Sequence, residues 1–293
     1  MALDKVIDSA KLDADLTSIA DAIREKAGVS DSFVFPDGFV EAVSGISTGG
    51  GDSLAIQIIE GTVTEINDST ATKIGKFAFG KGSSLAASEA KLTSVRFPEA
   101  NNVDNYAFYY NRKLASASFP KATRLEEQAL AYCESLTSVD IPSATYLGFN
   151  CFYNCKALKS LYLPSVTGLN QMVFSNCSAL EWIDFVKLAQ IQYSVFPGCK
   201  VLSTLILRKD SGVCGLGSSS GFNSTPFASG GTGGIVLCPQ SLIAEYTNAT
   251  NWSTLYAAGT CLFWALEDYT ADGTITGEIN WDKLNTDREG AFA

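Results

Sequence analysis

Leu136-Thr-Ser-Val-Asp-Ile-Pro142 is followed 22 residues later by Leu158-Lys-Ser-Leu-Tyr-Leu-Pro164, and this repetition decides the fold. Between about Val95 and Leu207, five columns of residues keep the same 22-residue step. The proline column is Pro98, Pro120, Pro142 and Pro164, the leucine column is Leu92, Leu114, Leu136, Leu158, Leu180 and Leu202, and the thiol column is Cys133, Cys155, Cys177 and Cys199. Two further apolar columns are Phe108, Leu130, Phe152, Phe174 and Phe196, and Val103, Leu125, Leu147, Leu169 and Ile191. A fixed period of this length indicates a solenoid of stacked repeats.

Each repeat, or rung, contains a short alternating stretch that ends at the proline. In the first regular rung Val95 and Phe97 are apolar, and polar residues precede each of them. Because strand side chains alternate between two faces, we expect Val95 and Phe97 to point inward. A second apolar stretch, such as Leu147-Gly-Phe-Asn-Cys-Phe152, has the spacing of a short helical turn that faces back onto the strand. We therefore expect one short parallel strand per rung, with neighbouring rungs about 4.8 Å apart.

These rungs resemble the BspA-like leucine-rich repeats, whose pattern is roughly L-x-x-I-x-I-P followed by I-x-x-x-A-F-x-x-C-x-x-L. The resemblance rests on Leu136 to Pro142 with Ala129-Leu-Ala-Tyr-Cys133, and on Leu158 to Pro164 with Cys151-Phe-Tyr-Asn-Cys155. The commoner leucine-rich repeat matches less well, because it places Asn or Cys three residues after the strand, where this chain has Ala122, Ala144 and Val166. The resemblance covers residues 72–207 and implies an α/β repeat solenoid.

The residues before the regular rungs divide into three parts. Residues 1–46 read as a helical hairpin with an apolar stripe on each helix, formed by Leu16, Ile19 and Ile23 and by Phe39 and Val43. Two short helices bury little by themselves, so this N-terminal segment either anchors the protein in a larger assembly or caps the first rung. Residues 47–53 have the composition of a flexible linker. Residues 54–208 form the predicted solenoid, with an irregular start and regular rungs over residues 92–207.

The residues after the regular rungs, 209–293, form a separate C-terminal segment. The solenoid is expected to end near Arg208, because Val186 and Arg208 replace the expected prolines. A Gly/Ser-rich loop follows, then a strand from Ile235 to Pro239 and two short helices before and after residue 249. These elements resemble the segment that often closes BspA-like arrays, which implies that they cover the last rung. We expect a β-hairpin over residues 265–279 with its turn at Asp272-Gly273, and a loose tail from Asn285.

Composition excludes several functional classes. The 293 residues carry a net charge of −10, which argues against electrostatic binding to nucleic acid or to an anionic membrane. The sequence contains no run of 18 apolar residues, so we expect no membrane insertion. Its first 11 residues lack the features of a signal peptide, so we expect a chain made and folded in a cytoplasm. The sequence has no His, which removes the usual nucleophilic triads and nearly all zinc sites. We therefore expect no enzyme, no bound metal and no cofactor.

The two ends of the chain resemble tail-associated and other virion proteins of phages and prophages of Gram-positive bacteria. The opening similarity covers Leu16 to Gly28, Phe35 to Phe39 and Ile46, and the closing one covers Leu266 to Thr270 with Thr276 to Glu278. It implies a non-catalytic virion (tail) protein, present as a homo-oligomer or in many copies, whose N-terminal helices contact other virion proteins. Two alternatives remain: a BspA-like bacterial surface adhesin and a purely architectural virion subunit. The missing signal peptide and cell-wall anchor argue against the adhesin.

The candidate binding residues lie on the outward face of the strands and at one corner of the rungs. In one column of outward positions, four successive rungs carry a serine, and Trp182 interrupts that column. With Tyr162 and Asp184 it forms a patch suited to a host cell-surface protein or carbohydrate. Arg96 and Asp140 belong to the same outward face, and a second aromatic group lies at the opposite corner: Tyr109, Tyr110, Tyr132 and Tyr153. Both groups could instead pack against loops or the C-terminal segment.

Overall fold

The computed structural model describes residues 64–80, 91–228 and 230–292. The predicted N-terminal helices with Leu16, Ile19, Ile23, Phe39 and Val43, the linker and the first residues of the predicted solenoid lie outside the described residues. Residues 81–90, in the irregular start of the predicted solenoid, also lie outside them. No helix among the described residues is long and apolar enough to cross a bilayer.

Fifteen short strands form the described part of the solenoid. In chain order they are β1 (Glu65–Asn67), β2 (Ser94–Arg96), β3 (Asn102–Val103), β4 (Ser116–Ser118), β5 (Arg124–Leu125), β6 (Ser138–Asp140), β7 (Tyr146–Leu147), β8 (Ser160–Leu163), β9 (Gly168–Leu169), β10 (Trp182–Phe185), β11 (Gln190–Ile191), β12 (Thr204–Leu207), β13 (Gly215–Leu216), β14 (Gly234–Cys238) and β15 (Cys261–Ala265). All hydrogen-bonded pairs of these strands are parallel.

The strands form two sides of each rung. The long side contains the first sheet, in the order β1-β2-β4-β6, and the second sheet, in the order β15-β14-β12-β10-β8. The return side contains the sheets β3-β5-β7 and β13-β11-β9. The register steps by the repeat length, so that Val95 pairs with Ala117 and Ala117 with Val139. The repeat solenoid is confirmed, and the six rungs from β2 to β12 each have a two-residue return strand in addition to the long-side strand that the sequence predicts.

The third side of each rung consists of hydrogen-bonded turns where the sequence suggests a short helical turn. Two residues of each turn have positive φ, and both positions repeat every 22 residues: Tyr106, Gln128, Asn150, Met172 and Ser194, and Tyr110, Tyr132, Asn154, Asn176 and Gly198. Backbone hydrogen bonds join successive turns, as from Phe108 N to Ala129 O at 2.8 Å and from Leu130 N to Cys151 O at 3.0 Å. The left-handed residues break any helix, which explains why these segments remain turns.

One core runs through all rungs. Val95 and Phe97 are buried as predicted, and the column of Phe108, Leu130, Phe152, Phe174 and Phe196 is buried throughout. Successive rings of this column stack at 5.5 Å between Phe152 and Phe174 and at 5.7 Å between Phe174 and Phe196. Each rung thus buries its apolar residues against its neighbours, which a single rung could not do.

The parallel sheet continues past Arg208, where we predicted that the solenoid ends. The predicted strand at Ile235 is β14, and it pairs with β12. The two predicted helices are α1 (Ile243–Asn248) and α2 (Trp252–Ala257). They lead into β15, which pairs with β14 in parallel and forms the edge of the second sheet. The missing prolines therefore do not mark the last rung.

The last residues fold differently from the prediction. Instead of a hairpin strand, Leu266–Tyr269 is a 3-10 helix, and a single antiparallel bridge joins Thr270 to Ile279. The predicted loose tail is instead part of helix α3 (Trp281–Ala291), whose N-terminus is capped by the Asn280 side chain. Leu284 is the fully buried residue of this helix. Packing of Leu284 against the solenoid stabilises a helix that its sequence alone would not.

Candidate functional site

Residues 266–292 form a C-terminal cover that lies on the outward face of the second sheet. A separate hydrophobic cluster joins Ile206, Ile235 and Leu237 of the sheet to Leu266 and Leu284 of the cover. The ring of Tyr269 stacks on Trp264 at 5.2 Å between centroids. Outward side chains of a leucine-rich repeat strand usually face water, so apolar residues at these positions require a second layer.

Arg208 fastens the cover to the sheet. Its guanidinium donates to both carboxylate oxygens of Asp184, with Nε 2.8 Å from Oδ1 and Nη2 2.9 Å from Oδ2. Its Nη1 donates to the carbonyl oxygens of Ile275 at 2.7 Å and Gly277 at 2.9 Å. The side chains of Arg208 and Asp184 are both more than nine-tenths buried. Burial raises the pKa of Asp184, and the hydrogen bonds and charge of Arg208 oppose that shift.

A cleft of about 640 Å³, here named the Trp groove, opens where the cover meets the sheet. The sheet contributes Tyr162, Trp182, Asp184, Val186 and Arg208, and the cover contributes Thr276, Gly277, Glu278, Ile279 and Trp281. The rings of Trp182 and Trp281 lie 4.7 Å apart between centroids, so one wall is a pair of indoles. A second cleft of about 470 Å³ borders the same pair. Sites of this size that combine aromatic walls with a few fixed polar groups are typical of ligand binding.

The structure brings the predicted patch together but changes its character. Tyr162 remains 53% exposed, whereas Trp182 is half-buried beneath Trp281 and Asp184 is buried against Arg208. Sequence reasoning missed Trp281 and Glu278, because nothing in the pattern shows that the chain end returns to this face. It noted Arg208 only as a departure from the proline column. The signal that could have found the site is the run of apolar outward residues at Ile206, Ile235 and Leu237.

Arg96 and Asp140 lie apart from the Trp groove, on the outward face of the first sheet. Arg96 Nη1 donates to Ser118 Oγ at 3.3 Å, and Ser118 Oγ donates to Asp140 Oδ2 at 2.9 Å. The three residues come from adjacent strands and form an exposed polar ladder. This ladder orders the surface without enclosing a site.

The predicted tyrosine group is a continuous strip along the turns. Tyr110 and Tyr132 stack at 4.1 Å, Tyr109 meets both edge-on, and Tyr132 meets Tyr153 at 5.1 Å. The strip is half-buried, and burial raises the pKa of Tyr109 and of Tyr132. Because the rings face each other, the strip offers mainly edges and hydroxyl groups to a partner.

Two of these tyrosines occupy a strained backbone position. Tyr110 and Tyr132 have φ of 61°, at a position where later rungs carry Asn154, Asn176 and Gly198. Asn and Gly adopt this left-handed region more readily than an aromatic residue does. The stacking of the two rings, and the Arg112 guanidinium 5.5 Å from the Tyr110 ring, offset part of that strain.

The predicted thiol column is buried. All eight cysteines are free and buried, and Cys177 Sγ donates to Phe152 O at 3.1 Å in the preceding rung. Asn111 takes the first position of the column and donates instead to Phe79 O and Phe108 O. Burial raises the pKa of Cys177 to about 12, so the thiol stays neutral. Within the described residues, no group of three or more Cys, Asp or Glu side chains could hold a metal ion.

The architecture defines a leucine-rich repeat protein: a parallel β-solenoid whose 22-residue rungs repeat one inward pattern and place one short strand on the long side. The chain belongs to the BspA-type leucine-rich repeat family, whose model matches in six copies over residues 60–120 and 101–213. Together these ranges span more than half of the chain.

The solved structures that match include a leucine-rich repeat protein from Bacteroides ovatus, which is 21% identical to this chain with a TM-score of 0.36. The alignment covers 59% of this chain and 55% of that protein, so the chain spans little more than half of its length. No curated protein matches the chain.

Proposed function

We propose that this leucine-rich repeat protein is a non-catalytic recognition protein and that the Trp groove is its binding site for a ligand on a bacterial cell surface. The observation that carries the proposal is the meeting of Tyr162, Trp182 and Trp281 around a cleft whose floor is the fixed Arg208–Asp184 pair. Aromatic and Arg side chains dominate binding energy at recognition sites. Because the pair is already hydrogen-bonded, the site needs little reorganisation to bind.

We further propose that the protein belongs to a phage tail, where the segment before the solenoid attaches it to other virion proteins. Supporting this are the similarities at the two ends of the chain, of which Leu266 to Thr270 and Thr276 to Glu278 lie in the C-terminal cover. The second candidate is a bacterial surface adhesin. The BspA-type family match favours it, and the same groove would serve either role.

Surface recognition is tested by binding of the labelled full-length protein to cells of a strain panel that includes the strain carrying the gene. We expect saturable binding to some strains, and a loss of binding in Tyr162→Ala. Tyr193→Ala is the matched control, because Tyr193 is 49% exposed and lies outside the groove. Equal binding by both variants would contradict the assignment of the groove, and no binding to any strain would contradict cell-surface recognition.

The carrier is tested separately by quantitative mass spectrometry of purified phage particles and of washed cell envelopes from an induced culture. Enrichment in particles supports the tail protein, and enrichment in envelopes without particles supports the adhesin. Particles that lack the protein but keep normal morphology and lose adsorption would support receptor binding. Failed assembly would instead support an architectural subunit.

A further inference from the structure

We propose that the ligand of the Trp groove is an uncharged pyranose saccharide, bound as one or two sugar units. This inference rests on the proposed function of the groove and adds the chemical class of its ligand. It follows from three properties of the lining residues: the aromatic surfaces, the hydrogen-bonding capacity left on the floor, and the charge.

The aromatic surfaces suit the apolar faces of sugar rings. Tyr162 is 53% exposed, and Trp182 and Trp281 are both half-buried in the wall. The two indoles fix each other's orientation, because their ring centroids lie 4.7 Å apart. Aromatic side chains with one buried and one open part contribute large contact area at low cost in conformational entropy.

By count, the Arg208–Asp184 pair on the floor keeps one N–H donor and about one carboxylate acceptor site that no described residue occupies. A guanidinium has five N–H groups, and the hydrogen bonds to Asp184, Ile275 and Gly277 occupy four of them. A carboxylate has about four acceptor sites, and Asp184 receives three hydrogen bonds from Arg208. A ligand hydroxyl both donates and accepts, so it can satisfy either of these two remaining groups. Adjacent hydroxyl groups on a pyranose ring present this combination repeatedly.

Charge disfavours the anionic ligands that could otherwise use Arg208. The groove contains Arg208 as a cation and Asp184 and Glu278 as anions, and the whole chain carries a net charge of −10. Because Arg208 is neutralised by a buried carboxylate, a phosphate or uronate would meet net negative charge. An uncharged sugar avoids this repulsion.

The size of the groove favours a small unit over a protein surface. Its volume of about 640 Å³ lies within the usual range for small-molecule sites, roughly 300–1,000 Å³. A protein domain would need a wider contact than this cleft provides. A single peptide loop could enter the cleft, and it is the competing outcome of the test.

Tryptophan fluorescence gives a direct readout, because two of the four tryptophans line the groove and Trp252 is fully buried elsewhere. The full-length protein is titrated with glucose, galactose, rhamnose, N-acetylglucosamine and N-acetylgalactosamine, each free and as a disaccharide, up to about 10 mM. We expect at least one probe to change the emission saturably. We also expect Tyr162→Ala to weaken its affinity by about tenfold or more, while Tyr193→Ala binds as the wild type does.

Two results would overturn the saccharide: no probe produces a saturable change, or Tyr162→Ala and Tyr193→Ala bind a probe equally well. Protease treatment of the cells distinguishes this failure from failure of the proposed function. If cell binding depends on Tyr162 but disappears after protease treatment and no sugar binds, the ligand is a protein loop and the recognition function stands. If a sugar binds at the groove but no cells do, the saccharide stands and cell-surface recognition fails.

Discussion

The first and second sheets share one inward pattern and differ on their outward faces. The first sheet carries the polar ladder of Arg96, Ser118 and Asp140, which is open to solvent. The second sheet carries Asp184 and Ile206 at the equivalent positions and Trp182 in the neighbouring outward column, and the C-terminal cover lies over them. The period of the repeat thus determines the core, whereas the outward residues determine whether a second layer forms.

The largest expected effect comes from breaking the clamp between cover and sheet. Arg208→Met leaves the buried Asp184 carboxylate without its partner, and we expect a loss of about 3–5 kcal/mol from the free energy of unfolding. Hydrogen exchange should accelerate in residues 266–292 before it does in the strands of the first sheet. Denaturant unfolding and exchange mass spectrometry measure both.

Lys121→Met is the control for that change, because it breaks an exposed ion pair in which Lys121 Nζ lies 2.6 Å from Glu99 Oε2. Exposed pairs of this kind contribute roughly 0–1 kcal/mol. The comparison between the two sheets fails if Arg208→Met costs no more than the control, or if the exchange of the cover is unchanged.

A smaller effect is expected from truncating equivalent outward residues on the two sheets. Ile206→Ala removes a fully buried side chain between sheet and cover, and we expect a loss of about 2–4 kcal/mol. Ser118→Ala removes hydrogen bonds at the open face, and we expect a change of about 0.5 kcal/mol. Urea unfolding measures the free energy of unfolding of both variants. Equal losses in the two variants would mean that the cover does not shield the outward face of the second sheet.

The smallest effect tests whether the inward side is the same in both regions. Burial raises the pKa of the thiols of Cys133 and Cys177 above the ordinary value near 9. Each thiol therefore contributes stability that is present below about pH 9 and is lost as the pH rises toward its folded-state pKa, about 12 for Cys177, since only the unfolded chain ionises in that interval. From pH 8 to pH 10 this is about 1.4 kcal/mol for each thiol.

Cys133→Ala and Cys177→Ala should each reduce the loss of unfolding free energy between pH 8 and pH 10 by that same amount. Urea unfolding at the two pH values measures it. A pH dependence that only one of the two variants reduces would show that the rungs of the two regions bury their thiols differently.

The core was predictable from sequence because every rung must bury the same apolar positions against its neighbours. Val95, Phe97 and the phenylalanine column had to be buried for stacked rungs to exclude water, and they are. The return strands were not predictable, since a two-residue strand such as Asn102–Val103 has no alternating pattern. Its hydrogen bonds depend on the neighbouring rung.

The limits of sequence reasoning are clearest at the C-terminus. Asp272-Gly273 suggested a hairpin turn, but the preceding Leu266 and Tyr269 are three residues apart and bury themselves on the sheet through a 3-10 helix. Of the predicted patch, Trp182 and Asp184 were placed on the correct face. Their partners Trp281 and Arg208 depend on the return of distant residues, which no local pattern encodes.

The hydrogen bonds of Arg208 that clamp the cover to the sheet also limit how the number of rungs can change during evolution. They join Asp184 on one strand to the carbonyl groups of Ile275 and Gly277, so the spacing between rungs and cover is fixed at this end. Insertion of a 22-residue unit between β10 and the cover would separate these partners. The first sheet has an open face, where an added unit meets only two similar neighbours. We therefore expect relatives of this chain to differ in rung number before β8 and to retain the rungs under the cover.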